Sequence, residues 1–488
     1  MVSASQLGDR FRWELAAQIG QAVSTAILLV ILARLLDPGS YGLLYLTVSY
    51  IAVAEVFSTL GVKNSAARYV AEYKEEDRTQ VPYIIQISFL VMLFLAVVVS
   101  MTLIAGRHYI AEIAREPDLA PFLLVGSFYL IFTTIHEYTR KLVQGFEAIE
   151  LSAQIKLVAG LTKPIFAIGF VFLGYGALGA YVGYVVSVFL GTIVGILVLY
   201  FRFYRNFEPG PIMEPGLKRR LIEYSIPLTG TQAAAKIDNQ LDTVLVGFFL
   251  TPMAVSYYVV SKQVVTFIER PASALGFTLG PTAAAESTAG NTKSLSRIYE
   301  NALSNVFLLY IPAAAGLILV AEPMIELLFG TEYLGAVPVL QILSVYAVLL
   351  SVNLVISTGL DYLGRARTRA ILKGVTSIMN VGLNIILIPQ LGVVGAAVAT
   401  VITYSLYALG NTYIVYNEIG LRAGNILKDV VQIFSITIVM AVSVFSVLGF
   451  ITGWISLILV VGMGILIYAT LSVVIGMVDI KEVTTTLT

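Results

Sequence analysis

Fourteen stretches of about 20 predominantly apolar residues, from 12–36 to 453–477, constrain this chain of 488 residues more than any other feature. A bilayer-spanning helix needs about 20 such residues, whereas a barrel strand needs only about 9–11 and alternates in polarity. With 58% hydrophobic and only 12% charged residues, the sequence is that of an all-α, multi-pass integral membrane protein of about 14 transmembrane helices. Between the spans no segment exceeds roughly twenty residues, which is too short for a soluble domain.

Lysine and arginine placement sets the expected orientation. With the amino terminus cytoplasmic, twenty-one of the 30 cations fall inside and only Arg107 and Arg115 outside. The positive-inside rule then places both termini in the cytoplasm. No signal peptide is evident at the amino terminus. The absence of cysteine excludes disulfides, thiolate metal sites and cysteine nucleophiles.

An internal repeat divides the chain. "LARLLDPGSYG" (32–42) matches "VGFFLTPMAVS" (246–256), placing Pro38 over Pro252, and "GALGAYVGYVVS" (176–187) matches "GVVGAAVATVIT" (392–403). The expected plan is an amino-terminal six-helix lobe over 1–205, a Pro- and Gly-rich cytoplasmic linker over 206–220, a carboxy-terminal six-helix lobe over 221–420, and two further helices within 421–488. A six-helix shift preserves orientation, so the lobes are expected to be related by an axis along the membrane normal, the plan of parallel-repeat transporters.

The segment "AAAKIDNQLDTVLVGFF" (233–249) places charges where a bilayer should be. At 100° per residue, Gln232, Lys236, Asp238, Asn239, Gln240 and Asp242 cover one broad arc of the seventh span. A charge at mid-bilayer costs at least about 2.5–3.5 kcal/mol, so this arc faces protein or a wet cavity. It either locks helices together or lines a translocation path, and its width favours the path. Lys262 lies at the depth of Asp242 and could pair with it. Glu55 and Glu269 occupy equivalent places in the two repeats, with Arg270 beside Glu269, and are candidates for coupling or gating unless the interface solvates them. Lys163 sits near the middle of its span, with Asn380 as its repeat counterpart, and completes the candidate cavity. Its alternative is a side chain that snorkels to the surface.

Other patterns carry less. "GYGALG" (174–179) matches a dinucleotide fingerprint but lacks the strand and soluble context that motif needs, and reads as a tight turn between spans. His108 and His136 stand apart from any metal-ligand or triad spacing, so no metal, cofactor or catalytic site is expected, nor an enzyme. A glycosyltransferase would need acidic metal-binding motifs in a sizeable loop, which the sequence lacks.

The stretches "LLDPGSYGLLYLTVS" (35–49), "LDTVLVGFFLTPMAVSYYVVSKQV" (241–264) and "NVGLNIILIPQLGVVGAAVATVITY" (380–404) resemble polysaccharide-biosynthesis flippases. These belong to the multidrug/oligosaccharidyl-lipid/polysaccharide exporter superfamily. The resemblance implies two MATE-like, pseudo-symmetric lobes in the cytoplasmic membrane of a bacterium or archaeon. It also implies alternating access that carries a polyprenyl-diphosphate-linked oligosaccharide to the outer leaflet. Asp242 falls where members often carry an Asp followed by a basic residue; here Thr243 follows. The two extra helices resemble those of the lipid II flippase branch, whose arginine-rich first helix is missing here. The competing expectation is a multidrug exporter coupled to Na+ or H+ through Asp238, Asp242 and Glu55. Membrane lipids are the expected surroundings, nucleic acid is not an expected partner, and a monomer is the default.

Overall fold

The computed structural model describes residues 4–289 and 291–477, with the side chains of 4–17, 228, 231, 232, 271–279, 281–284, 287, 288, 358, 359, 361 and 362 outside the description. Among the described residues fifteen α-helices follow one another: α1 (Ala4–Leu35), α2 (Pro38–Thr59), α3 (Val62–Glu76), α4 (Val81–Ile113), α5 (Leu119–Gly145), α6 (Ile149–Phe170), α7 (Gly176–Val198), α8 (Leu217–Phe249), α9 (Pro252–Thr288), α10 (Thr292–Phe329), α11 (Val337–Tyr362), α12 (Ala366–Leu391), α13 (Val393–Ile419), α14 (Ala423–Val447) and α15 (Trp454–Val474). No strand occurs among the described residues. Eleven segments among them are long and apolar enough to cross a membrane, and the longest, 149–206, holds both α6 and α7. The chain is a multi-pass helical membrane protein. Helices α8 and α9 are not among the eleven, and α8 carries the polar arc. Helix α3 has only 15 residues.

Repeat-related positions carry the same local chemistry. Asp37 caps α2 by accepting from the Ser40 amide at 2.9 Å, with Pro38 in the first turn. Helix α9 likewise begins on Pro252. Between α6 and α7, Gly176 adopts φ 57°, ψ −151°; between α12 and α13, Gly392 adopts φ 64°, ψ −147°. Only glycine enters that region without strain, so the two turns share one backbone solution 216 residues apart.

The chain forms two compact units, Met1–Val255 and Ser256–Thr488. The first therefore also holds α8, which packs on α2, α3 and α4. Its apolar centre includes Val70, Ile84, Tyr138, Leu142, Leu217 and Leu221. At the crossing of α3 and α5, a Cβ on Gly145 would lie 2.5 Å from the Ala67 carbonyl oxygen, so only glycine allows that approach. In the second unit Leu295, Tyr299, Val355, Ile356 and Val415 join α10, α11 and α13. Val320, Met440, Val444, Leu457 and Val460 seat α14 and α15 on α10. Large exposed apolar side chains such as Phe94, Ile455 and Leu466 remain outside these cores, as lipid-facing surface requires.

The linker is folded rather than loose. Gly210 donates its amide to the Thr79 carbonyl at 3.1 Å, and its own carbonyl accepts from the Tyr83 hydroxyl at 2.6 Å. Gln80 donates to the Ile212 carbonyl at 3.2 Å and accepts from the Glu214 amide at 2.8 Å. The Tyr73 hydroxyl donates to Glu214, and Arg220 reaches both, at 2.8 Å and 2.5 Å. The hydrogen bond from Tyr73 holds the Glu214 carboxyl below its ordinary range, and burial together with Glu214 pushes the Tyr73 phenol up to about 12. These contacts tie residues 210–220 to the adjoining ends of α3 and α4.

Candidate functional site

The polar arc of α8 meets its partners on α2. The Lys236 ammonium lies 2.6 Å from Glu55 Oε2, with the Lys236 side chain 35% exposed and that of Glu55 only 10%. One turn further along α8, Gln240 accepts from the Ser49 hydroxyl at 2.9 Å. Asp242 and Thr243 are buried, Asp238 is half-buried and Asn239 is exposed. The side chain of Gln232 lies outside the described residues. Glu55 is thus the enclosed half of a partly buried ion pair, and losing Lys236 would leave its carboxylate without that partner.

Beside this pair opens a small cleft of about 40 Å³ lined by Glu55, Thr59, Lys63, Thr229 and Lys236, all within the first unit. Three of its walls come from sequence features with local causes. The left-handed turn at Leu60 and Gly61 (φ 37° and 70°) ends α2 and swings Lys63 onto α3. Thr229 and Lys236, seven residues apart, share one face of α8. The cleft therefore combines two ammonium groups, two hydroxyls and one carboxylate.

A second, half-buried pair escaped the sequence reading. Glu137 and Arg140 on α5 lie 2.6 Å apart with side chains 28% and 14% exposed, and Lys63 and His136 stand within electrostatic reach of Glu137. The signal was present as an Arg three residues after a Glu.

The remaining candidates are distributed. Lys163 does not snorkel: its ammonium sits 3.8 Å from the centroid of the buried Tyr184 ring, a cation–π contact joining α6 to α7. Among the described residues it has no ion-pair partner. In the second unit Asn380 donates to the Thr403 hydroxyl at 3.2 Å and accepts from Asn384 at 2.9 Å, the same helix pair joined by neutral groups. Lys262 lies 5.6 Å from the Tyr258 ring, and the Arg270 guanidinium lies 5.0 Å from the Phe267 ring. The Glu269 backbone carbonyl accepts from the Tyr310 hydroxyl at 3.1 Å. Asp242 belongs to the first unit and Lys262 to the second.

Residues 31–338 match a family described as polysaccharide biosynthesis protein. The chain belongs to that family. Among its relatives, the low-salt glycan biosynthesis flippase Agl15 of Haloferax volcanii, itself named as probable, is 27% identical over 40% of this chain and 42% of its own length. The lipopolysaccharide biosynthesis protein WzxC of Escherichia coli K12 is 24% identical over 81% of this chain and 78% of its own. Among solved structures, the lipid II flippase MurJ in an inward closed conformation superposes with a TM-score of 0.75 at 16% identity, over 95% of this chain and 98% of that one. An inward-facing multidrug resistance MATE transporter of the MOP superfamily gives 0.64 at 17% identity, over 82% and 94%. The fold is therefore the MATE- and MurJ-like one that the sequence led us to expect.

Proposed function

We propose that this protein is a flippase that moves a polyprenyl-diphosphate-linked oligosaccharide from the cytoplasmic to the outer leaflet by alternating access. The observation that carries this reading is the cleft in which Lys63 and Lys236 converge with Thr59 and Thr229 on a helix bundle of this family. An oligosaccharide head cannot cross hydrocarbon unaided, since each unpaired hydroxyl costs several kcal/mol. Ammonium groups meet a diphosphate as point charges, and hydroxyls and amides replace water around sugars. The flippase names of Agl15 and MurJ support the reading. In the orientation expected from lysine and arginine placement, the cleft opens near the cytoplasmic side, where such a lipid would enter. The protein then works as a monomer in the cytoplasmic membrane with both termini inside, its two repeats serving as lobes.

A leaflet-exposure assay tests it. Liposomes holding the purified protein and a short-chain, fluorescent diphosphate-linked sugar lipid should show protein-dependent flipping that Lys236→Gln and Asp242→Asn slow. Absence of flipping with several such lipids would refute it. The second reading, a Na+- or H+-coupled drug exporter, is favoured by the likeness to a MATE transporter and by the burial of Asp242. It requires pH-dependent binding of lipophilic cations.

A further inference from the structure

A second cleft, of about 270 Å³, opens where α14 packs on α10, wholly within the second unit. The flippase reading makes no use of it. Glu300, Asn301, Ser304, Asn425, Lys428 and Asp429 line it. Since a water needs only about 10–15 Å³, the space is that of a small polar molecule.

The two carboxylates are each fixed through one oxygen. Glu300 Oε1 accepts from the Arg422 amide at 2.7 Å and from the Ser296 hydroxyl at 3.0 Å, which holds the entry of α14 against α10. Asp429 Oδ2 accepts from the Ser304 hydroxyl at 2.6 Å. Their other oxygens, Glu300 Oε2 and Asp429 Oδ1, have no hydrogen bond among the described residues, and neither do the exposed side chains of Asn301, Asn425 and Lys428. Arg297 and Arg422 nearby are exposed and form no ion pair among the described residues. The cleft thus sets two negative acceptors beside one ammonium and fits a ligand that carries both a cation and an anion. A primary ammonium, with three donors, satisfies both carboxylates at once, whereas neutral sugar hydroxyls would leave their charge uncompensated.

Depth decides the source of that ligand. Residues 306–321 and 433–478 carry no charge, so Asn305 and Gln432 stand where each helix enters its apolar run. Asn305 is exposed and Gln432 half-buried, and neither side chain has a hydrogen bond among the described residues. They follow Asn301 and Lys428 by one turn on the same helix faces. A head group seated in the cleft supplies these amides with the partner that hydrocarbon cannot.

We propose that the cleft seats the head group of a phospholipid with a terminal primary ammonium. The ammonium lies between Glu300 and Asp429, the phosphate meets Lys428, and the acyl chains leave past Asn305 and Gln432. The lipid bridges α10 and α14 and so fastens one to the other. This does not rest on the flippase reading.

Native mass spectrometry of the delipidated protein in detergent provides the test. The probes are dioleoylphosphatidylethanolamine, its N-trimethylated and phosphoglycerol counterparts, and water-soluble phosphoethanolamine. The wild type should retain phosphatidylethanolamine about tenfold more tightly than the other two lipids, because a trimethylated head donates no hydrogen bond and a phosphoglycerol head brings no cation. Asp429→Asn, an isostere that still accepts from Ser304, should remove the preference. Lys428→Gln, at an exposed position where folding is not at stake, should weaken retention about tenfold. Equal retention of the three lipids by the wild type, or phosphatidylethanolamine retention unchanged in either variant, would overturn the proposal. Phosphoethanolamine bound as tightly as the whole lipid would overturn the lipid assignment and leave a site for a soluble ligand.

Discussion

Glu55 and Lys236 tie α2 to α8, and the strength of that tie can be worked out from the geometry. At 2.6 Å and an effective dielectric of about 20, the gross attraction is about 6 kcal/mol. Desolvation opposes it, chiefly at Glu55, and water screens the 35%-exposed Lys236 side chain. Fully exposed pairs contribute about 0–1 kcal/mol, and breaking fully buried ones costs about 3–5 kcal/mol. This pair stands between, so a coupling energy of about 1–2 kcal/mol is expected. A double-mutant cycle of Glu55→Gln, Lys236→Gln and the double variant isolates it, read as unfolding free energies from SDS titration in mixed micelles followed by circular dichroism. The double variant should lose less than the two singles together, because it strands neither charge. A coupling below about 0.3 kcal/mol would refute the argument that these residues hold each other in the folded protein.

Gly176→Ala and Gly392→Ala should each destabilise by about 1–3 kcal/mol, since alanine is strained at both backbone conformations; thermal unfolding midpoints check this, and a neutral result at either turn would contradict the shared geometry. Lys163→Met keeps much of the side-chain bulk but removes the charge over Tyr184, and should cost about 0.5–2 kcal/mol by the same measurement. The linker contacts should depend on pH with a definite sign. Glu214 has a lowered folded pKa, so its contribution is present above the ordinary carboxylate range and is lost as pH falls through the folded value. Amide exchange over 210–221, corrected for intrinsic rates, should therefore accelerate below about pH 4. Tyr73, pushed up to about 12, stays neutral throughout.

The elements legible in the sequence were those specified by runs and by backbone-special residues. Spans announce themselves because hydrocarbon demands a minimum apolar length. The repeat was visible in Pro38 and Pro252, because proline is preorganised for a helix's first turn, and in the glycines at 176 and 392, because only glycine enters the backbone region of those turns without strain. The polar arc was visible because six polar side chains cannot face lipid. Its partner was not: Glu55 and Lys236 are 181 residues apart, and nothing local marks them as a pair. The Glu137–Arg140 pair was not singled out, because a Glu and an Arg three residues apart pair on exposed helix faces as well. The linker's prolines and glycines marked it only as a connection between lobes. Its polar backbone groups instead found partners in Thr79, Gln80 and Tyr83, which composition does not reveal.

The folded linker has a further consequence in terms of phase. A free chain of 15 residues would spread over roughly 20 Å and would leave the rotation and depth of α8 undetermined. Held at Gly210, Ile212, Glu214 and Arg220, with Leu217 and Leu221 buried beneath, the segment fixes where α8 starts and which way it faces. From that origin Lys236 lies fifteen residues beyond Leu221, and each residue adds 100° and 1.5 Å. One residue inserted between them would turn Lys236 a quarter-circle away from Glu55. The clasp thus acts as the reference mark from which the helix keeps its angular count, and the ion pair is where that count is read.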